Sequence, residues 1–297
     1  MPETRQDRKP GPTVIARLDA LLPPEMAEVA ERVGVEKTRR DAVGLTMLAV
    51  IAGADIAFGA IFSTTVASEA GALPYGVGRL LAGLVFSLGL ILVVVGGAEL
   101  FTGNNLMVMA WASRHVSTVS LLRAWGIVYV GNFVGGAGTA AMVFLSGQYR
   151  FGGGAVGRTA LTIAEGKTAL PFLEAMMLGV LCNVLVCLAV WVCFGARSMA
   201  DRILAILFPI AAFVAAGFEH SVANMYFITI GLMIRAWAGD PFWADIGATP
   251  ADFPSLDLAG LVANLVPVTM GNIIGGGILV GAVYWFIYLR PRRAAGR

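Results

Sequence analysis

One histidine is placed where chemistry is expected. His220 lies in AGFEHSVANM (216–225), inside a long apolar run, and the only other histidine is His115. An ionisable group at membrane depth is a functional-site hypothesis by default. One imidazole does not make a metal site, and no HExxH motif or His/Cys cluster is present. No catalytic triad is apparent either. A proton-exchanging group facing a narrow passage fits a solitary buried histidine best. Phe213, Gly217 and His220 stand at i, i+4 and i+7, and Phe86 and Leu90 at i and i+4. Bulky apolar side chains on such a face would form a constriction, although the same spacing serves ordinary packing.

Thr102, in ELFTGNN, has a hydroxyl that can serve an anion or a histidine across a pore, or simply cap a helix. Asn183, in the middle of an apolar run, is either a hydrogen bonder for the passage or a packing residue. Glu99 and Glu219 read as buried acids. Asn104 and Asn224, like Asn132 and Asn272, read as structural amides that satisfy backbone groups freed where helices stop. Cys182, Cys187 and Cys193 share one apolar run without CxxC spacing, so they read as packing residues.

The elements that must hold these residues follow from composition. Of 297 residues, 58% are apolar and 13% charged, too few charges for a cytosolic globule. The 37 glycines fall largely within apolar stretches, which suits close helix packing in lipid. Six apolar segments are expected near 42–67, 77–112, 119–145, 170–194, 203–234 and 258–289, each span needing about 20 residues. The second and fifth are too long for one span and are interrupted by GGAELFTGNN and AGFEHSVANM. Broken spans around a protein-lined cavity would tolerate those polar groups.

Residues 1–41 form a charged N-terminal segment with an amphipathic helix in 13–40, residues 42–289 the membrane domain, and 290–297 a basic tail. Nothing at the start resembles a cleaved secretory signal. With six spans, sixteen of the 21 Lys and Arg residues fall on the side of the termini. That asymmetry predicts both termini in the cytoplasm and places the chain in the inner (cytoplasmic) membrane. Basic residues cluster between apolar segments, so no nucleic-acid-binding face is expected.

An internal repeat is visible. Gly97, Glu99 and Asn104 recur 120 positions later as Gly217, Glu219 and Asn224, and GNFVGG (131–136) recurs as GNIIGG (271–276). Three spans per half invert the second half relative to the first, an architecture of transporters and channels. The fold class expected is an all-α membrane bundle of six helices with an inverted 3+3 repeat.

The motifs AELFTGNN, SGQYR, LCNVLVCLAVW, GFEHSVANM and PVTMGNIIGGGILVGAVYW resemble the formate/nitrite transporter family. LLPPEMAEVAERVGV and ALPYGVGRLLAGLVFSLGLILVV resemble its formate channel branch. The resemblance implies an aquaporin-like fold, a homopentamer, and a pore in each protomer for formate, nitrite or hydrosulfide. It puts the pore histidine on His220, the threonine on Thr102 and the pore asparagine on Asn183. The constriction falls on Phe86, Leu90, Leu100 and Phe213, and an anion-attracting loop lysine on Lys167, with Arg158 as its substitute. The leading function is then an anion channel able to couple to protons, with no cofactor. A membrane-embedded enzyme would need a nucleophile, metal or cofactor motif, and none is present. A water or glycerol facilitator would need paired Asn-Pro-Ala motifs, which are absent.

Overall fold

The computed structural model describes residues 20–68 and 73–290. Residues 1–19 of the charged N-terminal stretch and nearly all of the basic tail lie outside the described residues. Helix α1 (Pro23–Arg39) precedes six helices long and apolar enough to span a bilayer. These are α2 (Ala42–Ala67), α3 (Tyr75–Gly96), α5 (Thr118–Ser146), α7 (Phe172–Gly195), α8 (Met199–Ala216) and the run Leu258–Tyr288. The last comprises α11 (Leu258–Asn272), a π-helical stretch (Ile273–Ala282) and α12 (Val283–Tyr288). Shorter helices fill the remainder: α4 (Val108–Ala112), α6 (Ala155–Thr168), α9 (Ser221–Trp237) and α10 (Asp240–Ile246). No strand occurs among the described residues.

Local chemistry sets the helix ends. Asp41, Ser198 and Asp257 cap α2, α8 and α11 by accepting backbone N–H bonds. Helices α3 and α8 both stop at glycines in the left-handed region, Gly97 (φ 80°) and Gly217 (φ 77°). After Gly97 the chain is non-helical until a 3-10 run at Gly103–Met107; after Gly217 it re-enters helix at Ser221. Glu99 and Thr102 therefore sit in the first interval and Glu219 and His220 in the second, with Asn104 and Asn224 in the helical turns that follow.

Packing brings the intervals together. Helix α2 crosses α5, and α7 crosses α11 and the π-helical stretch, at backbone contact distance. A Cβ at Gly135 would collide with the Val50 carbonyl, and one at Gly275 with the Val180 carbonyl. Small residues at such crossings let van der Waals contact replace the hydrophobic effect, which is weak between helices in lipid. Helix α1 lays Met26, Ala27 and Ala30 against Met109, Trp191 and Leu289, so its apolar face is covered by protein.

Two sequence expectations change here. Lys167 is not on a loop but on the last turn of α6, a helix inside the segment joining α5 to α7. Asn104 and Asn224 do not hold freed backbone groups with their side chains; their amides bind the carboxylates of Glu99 and Glu219. The backbone is served instead by Asn132 and Asn272. Asn132 accepts from Phe101 N–H and donates to the Ala49 and Glu99 carbonyls. Asn272 accepts from Ser221 N–H and donates to the Gly179 and Glu219 carbonyls.

Candidate functional site

His220 is the N-cap of α9. Its Nδ1 accepts from the Ala223 N–H at 3.0 Å, and its Nε2 lies 2.9 Å from Thr102 Oγ1. Both side chains are buried. Because Nδ1 accepts, a neutral ring carries its proton on Nε2 and donates it to Thr102. Thr102 makes no side-chain capping bond, and its own O–H has no acceptor among the described residues. Asn183 braces this contact from α7, donating to the carbonyls of Thr102 and Asn272 and to Asn105 Oδ1. Its Oδ1 is buried and has no partner among the described residues.

Around His220 the walls are apolar. A chamber of about 10 Å³ is lined by Ile56, Leu90, Leu100, Val186, Ile210 and the rings of Phe86, Phe213 and His220. That is space for about one water. Phe213 stacks on His220 with ring centroids 5.9 Å apart and meets Phe86 edge-on at 5.7 Å.

Larger cavities flank the chamber. One, of about 230 Å³, shares Leu90 and Leu100 with it and is lined by Lys37, Arg40, Glu99 and Asn104. The other, of about 400 Å³, shares Phe86, Phe213 and His220 and is lined by Arg79, Lys167, Glu219 and Asn224. The three spaces form a series: vestibule, Leu90/Leu100, chamber, Phe86/Phe213, vestibule.

Each vestibule holds a lysine on a buried acid. Lys37 Nζ lies 2.6 Å from Glu99 Oε2 and 2.8 Å from Asn104 Oδ1. Lys167 Nζ lies 2.7 Å from Glu219 Oε1. Glu99 also faces Arg40 at 3.5 Å, whereas Glu219 accepts from the amides of Asn224 and Asn264. A carboxylate taken out of water needs such a set of donors.

Of the residues expected from sequence, Phe86, Leu90, Leu100, Phe213 and His220 line the chamber, Glu99 and Asn104 line one vestibule and Lys167, Glu219 and Asn224 the other, while Thr102 and Asn183 lie behind the imidazole. Arg158, the alternative cation, instead donates to the Ile246 carbonyl and does not line the cavity. Sequence reading misses Lys37, Arg40, Arg79, Ile56, Val186 and Ile210. The repeat offset is a usable signal for Ile210, which stands 120 positions after Leu90. Among the described residues no group of His, Cys, Asp and Glu is arranged to hold a metal ion.

A bundle of apolar helices enclosing a polar site between two vestibules defines the class: a multi-pass helical membrane protein of the transporter or channel kind. The chain belongs to the formate/nitrite transporter family, whose model matches residues 24–286. It is 44% identical over 273 residues to formate channel FocA of Escherichia coli K12, covering 92% of this chain and 96% of that one. It is 41% identical to formate channel FocA of Haemophilus influenzae, covering 88% and 93%. Among solved structures it is similar to a pentameric formate channel with formate bound (TM-score 0.78, 41% identity), covering 84% of this chain and 98% of that one.

Proposed function

We propose that the chain forms a homopentamer in the cytoplasmic membrane and that each protomer passes formate along the vestibule–chamber–vestibule path. The observation that carries this reading is the series of three spaces with a hydrogen-bonding imidazole at the narrowest. Similarity to formate channels, one of them pentameric, supports the substrate and the assembly. In this reading the two halves form an inverted repeat, and the second and fifth spans are broken at Gly97 and Gly217. The matched bonds of Asn132 and Asn272 support it. Both termini are cytoplasmic, so the Lys37 mouth faces the cytoplasm.

An anion entering the chamber sheds nearly all its water, and an unpaired buried charge is costly. The donors offered there are the Thr102 hydroxyl and, once it turns from Thr102 Oγ1 to the anion, His220 Nε2–H. Asn183 holds the Thr102 backbone so that this pair stays aimed. As a neutral ring, His220 acts as a hydrogen-bond donor. It cannot give its Nε2 proton to formate, because an imidazolate would result. Proton coupling therefore requires a second proton on Nδ1, which breaks the bond to Ala223; the imidazolium then passes its Nε2 proton to the carboxylate. Formic acid leaves the chamber as a neutral molecule and the ring is left neutral as its Nδ1–H tautomer; loss of that proton and uptake of one on Nε2 restore the bond from Ala223 N–H. Phe86, Leu90, Leu100 and Phe213 keep bulk water out. Glu99, Asn104, Glu219 and Asn224 fix the mouths, and Lys167 joins the outer one as the counter-ion of Glu219.

A flux panel in proteoliposomes with formate, nitrite, hydrosulfide, acetate and chloride tests the reading. Formate should pass well above acetate and chloride. Formate flux no greater than in empty liposomes would overturn it, and faster nitrite or hydrosulfide would reassign the substrate. Terminal tags reached only from outside intact cells would overturn the orientation.

A further inference from the structure

The vestibule on the Lys167 side needs a positive charge to draw anions, and Lys167 does not supply one. Its ammonium sits 2.7 Å from the Glu219 carboxylate, with both side chains largely buried, so the pair sums to zero. Among the described residues that line the cavity one other formal charge remains, the guanidinium of Arg79 at the start of α3. Arg79 is half-buried and has no carboxylate partner among the described residues. Its Nε donates to the Ala215 carbonyl at 3.2 Å and its Nη2 to the Val214 carbonyl, both at the C-terminal end of α8. A helix C-terminus offsets roughly half an elementary charge, so a net positive charge is left.

Geometry adds to charge. Two of the five guanidinium N–H donors are used, and the other three have no acceptor among the described residues. They include both Nη1–H groups and one on Nη2, the edge that matches the two oxygens of a carboxylate. The grip of α8 on the opposite edge fixes the plane of the fork. The other vestibule differs: its lining cations, Lys37 and Arg40, both reach Glu99.

We propose that Arg79 is the anion-receiving residue of the Lys167-side vestibule, holding bent two-oxygen anions such as formate by its free edge before they reach Phe86 and Phe213. The proposal rests on the anion-passage reading and names the residue that delivers selectivity to it.

The test is formate flux against concentration in proteoliposomes, at low and at high ionic strength, for the unaltered protein, Arg79→Gln and Arg79→Lys. Gln keeps a donor for the α8 carbonyls and removes the charge. Its half-saturating formate concentration should rise about threefold to tenfold at low salt, with maximal flux retained. That difference should shrink toward 1 M salt, where charges are screened within about 3 Å. Arg79→Lys should restore the salt-dependent part and leave a smaller, salt-independent deficit for formate. A fall in maximal flux with unchanged half-saturation in Arg79→Gln, or identical behaviour of the Gln and Lys variants, would overturn the proposal. If Arg79→Gln does not assemble, Arg79→Lys decides alone: a retained salt dependence supports the proposal and a lost one overturns it. No flux in the unaltered protein would instead remove the anion-passage reading beneath it.

Discussion

The Lys37 mouth and the Lys167 mouth are built from matching parts and part company at the centre. Each has a lysine on a buried glutamate, an asparagine five residues after that glutamate, and a second asparagine holding the backbone at the break. Between the glutamates and their asparagines the residues diverge. Leu100, Phe101 and Thr102 on one side stand where His220, Ser221 and Val222 stand on the other. The matched positions deal with a generic problem, satisfying a chain that stops being helical inside a membrane. The unmatched ones carry the site: His220 and Thr102 bond to each other across the divide, and Leu100 closes the chamber. Matched side-chain contacts thus recur at both mouths, whereas the candidate site lies where the two differ.

The mouths themselves differ in how well each acid is backed, and the largest expected effect probes that. Lys167→Met leaves Glu219 with amide donors alone in a buried setting. It should cost about 3–5 kcal/mol of stability, the usual penalty for breaking a buried pair. Lys37→Met leaves Glu99 facing Arg40 at 3.5 Å, so its loss should be roughly half as large. Thermal unfolding of the purified assembly measures both. Equal losses would mean that Arg40 does not act as a reserve cation.

At the centre, His220→Leu places on the second side the residue found on the first. Formate flux should fall by about a hundredfold, the lower range for losing a positioned proton-transfer group. Accumulation driven by a pH gradient should vanish. A variant that still accumulated formate in response to pH would remove the imidazole from the coupling step.

The third effect is smaller. Thr102→Val makes the first side resemble Val222 and leaves the Nε2–H of His220 without its acceptor. An unsatisfied buried donor costs about 1–3 kcal/mol, and flux should drop by about tenfold with assembly intact. Unchanged flux would leave Thr102 with a packing role only.

Much of this architecture is legible in the amino-acid sequence. Periodicity and polarity locate six spans and the two interruptions within a few residues, because charged and amide groups inside apolar runs have few tolerated explanations. His220 stands out for the same reason. The pairing of Lys37 with Glu99 is not legible, since 62 positions separate them and α1 reads as a surface amphipath until its docking is seen. Lys167 reads as a free loop cation because sequence shows charge but not neutralisation by a distant Glu219. Arg79 counts in the sequence only as a loop charge for orientation; its grip on the end of α8 is a tertiary contact 135 positions away. Ile56 and Val186 look like any apolar helix residues, and only the enclosure they share marks them.

The smallest effect tests whether the two breaks are equivalent in backbone as well as in hydrogen bonding. Gly97 and Gly217 hold φ of 80° and 77°, where a side chain costs about 1–2 kcal/mol. A methyl at Gly97 would meet nothing within 4 Å, and one at Gly217 would touch Arg79 Nη2 at 3.4 Å, an ordinary contact. Gly97→Ala and Gly217→Ala should therefore lower stability by the same amount, about 1 kcal/mol, in thermal unfolding. Asparagine, which tolerates the left-handed region, should recover part of the loss at either site. Transport should separate what stability does not. The Gly217 methyl lies against the guanidinium, so Gly217→Ala should raise the half-saturating formate concentration while Gly97→Ala leaves it alone. Equal transport effects would mean that the contact with Arg79 is too loose to matter, and a much larger stability loss at Gly217 would mean that Arg79 anchors the end of α8 more than it serves the vestibule.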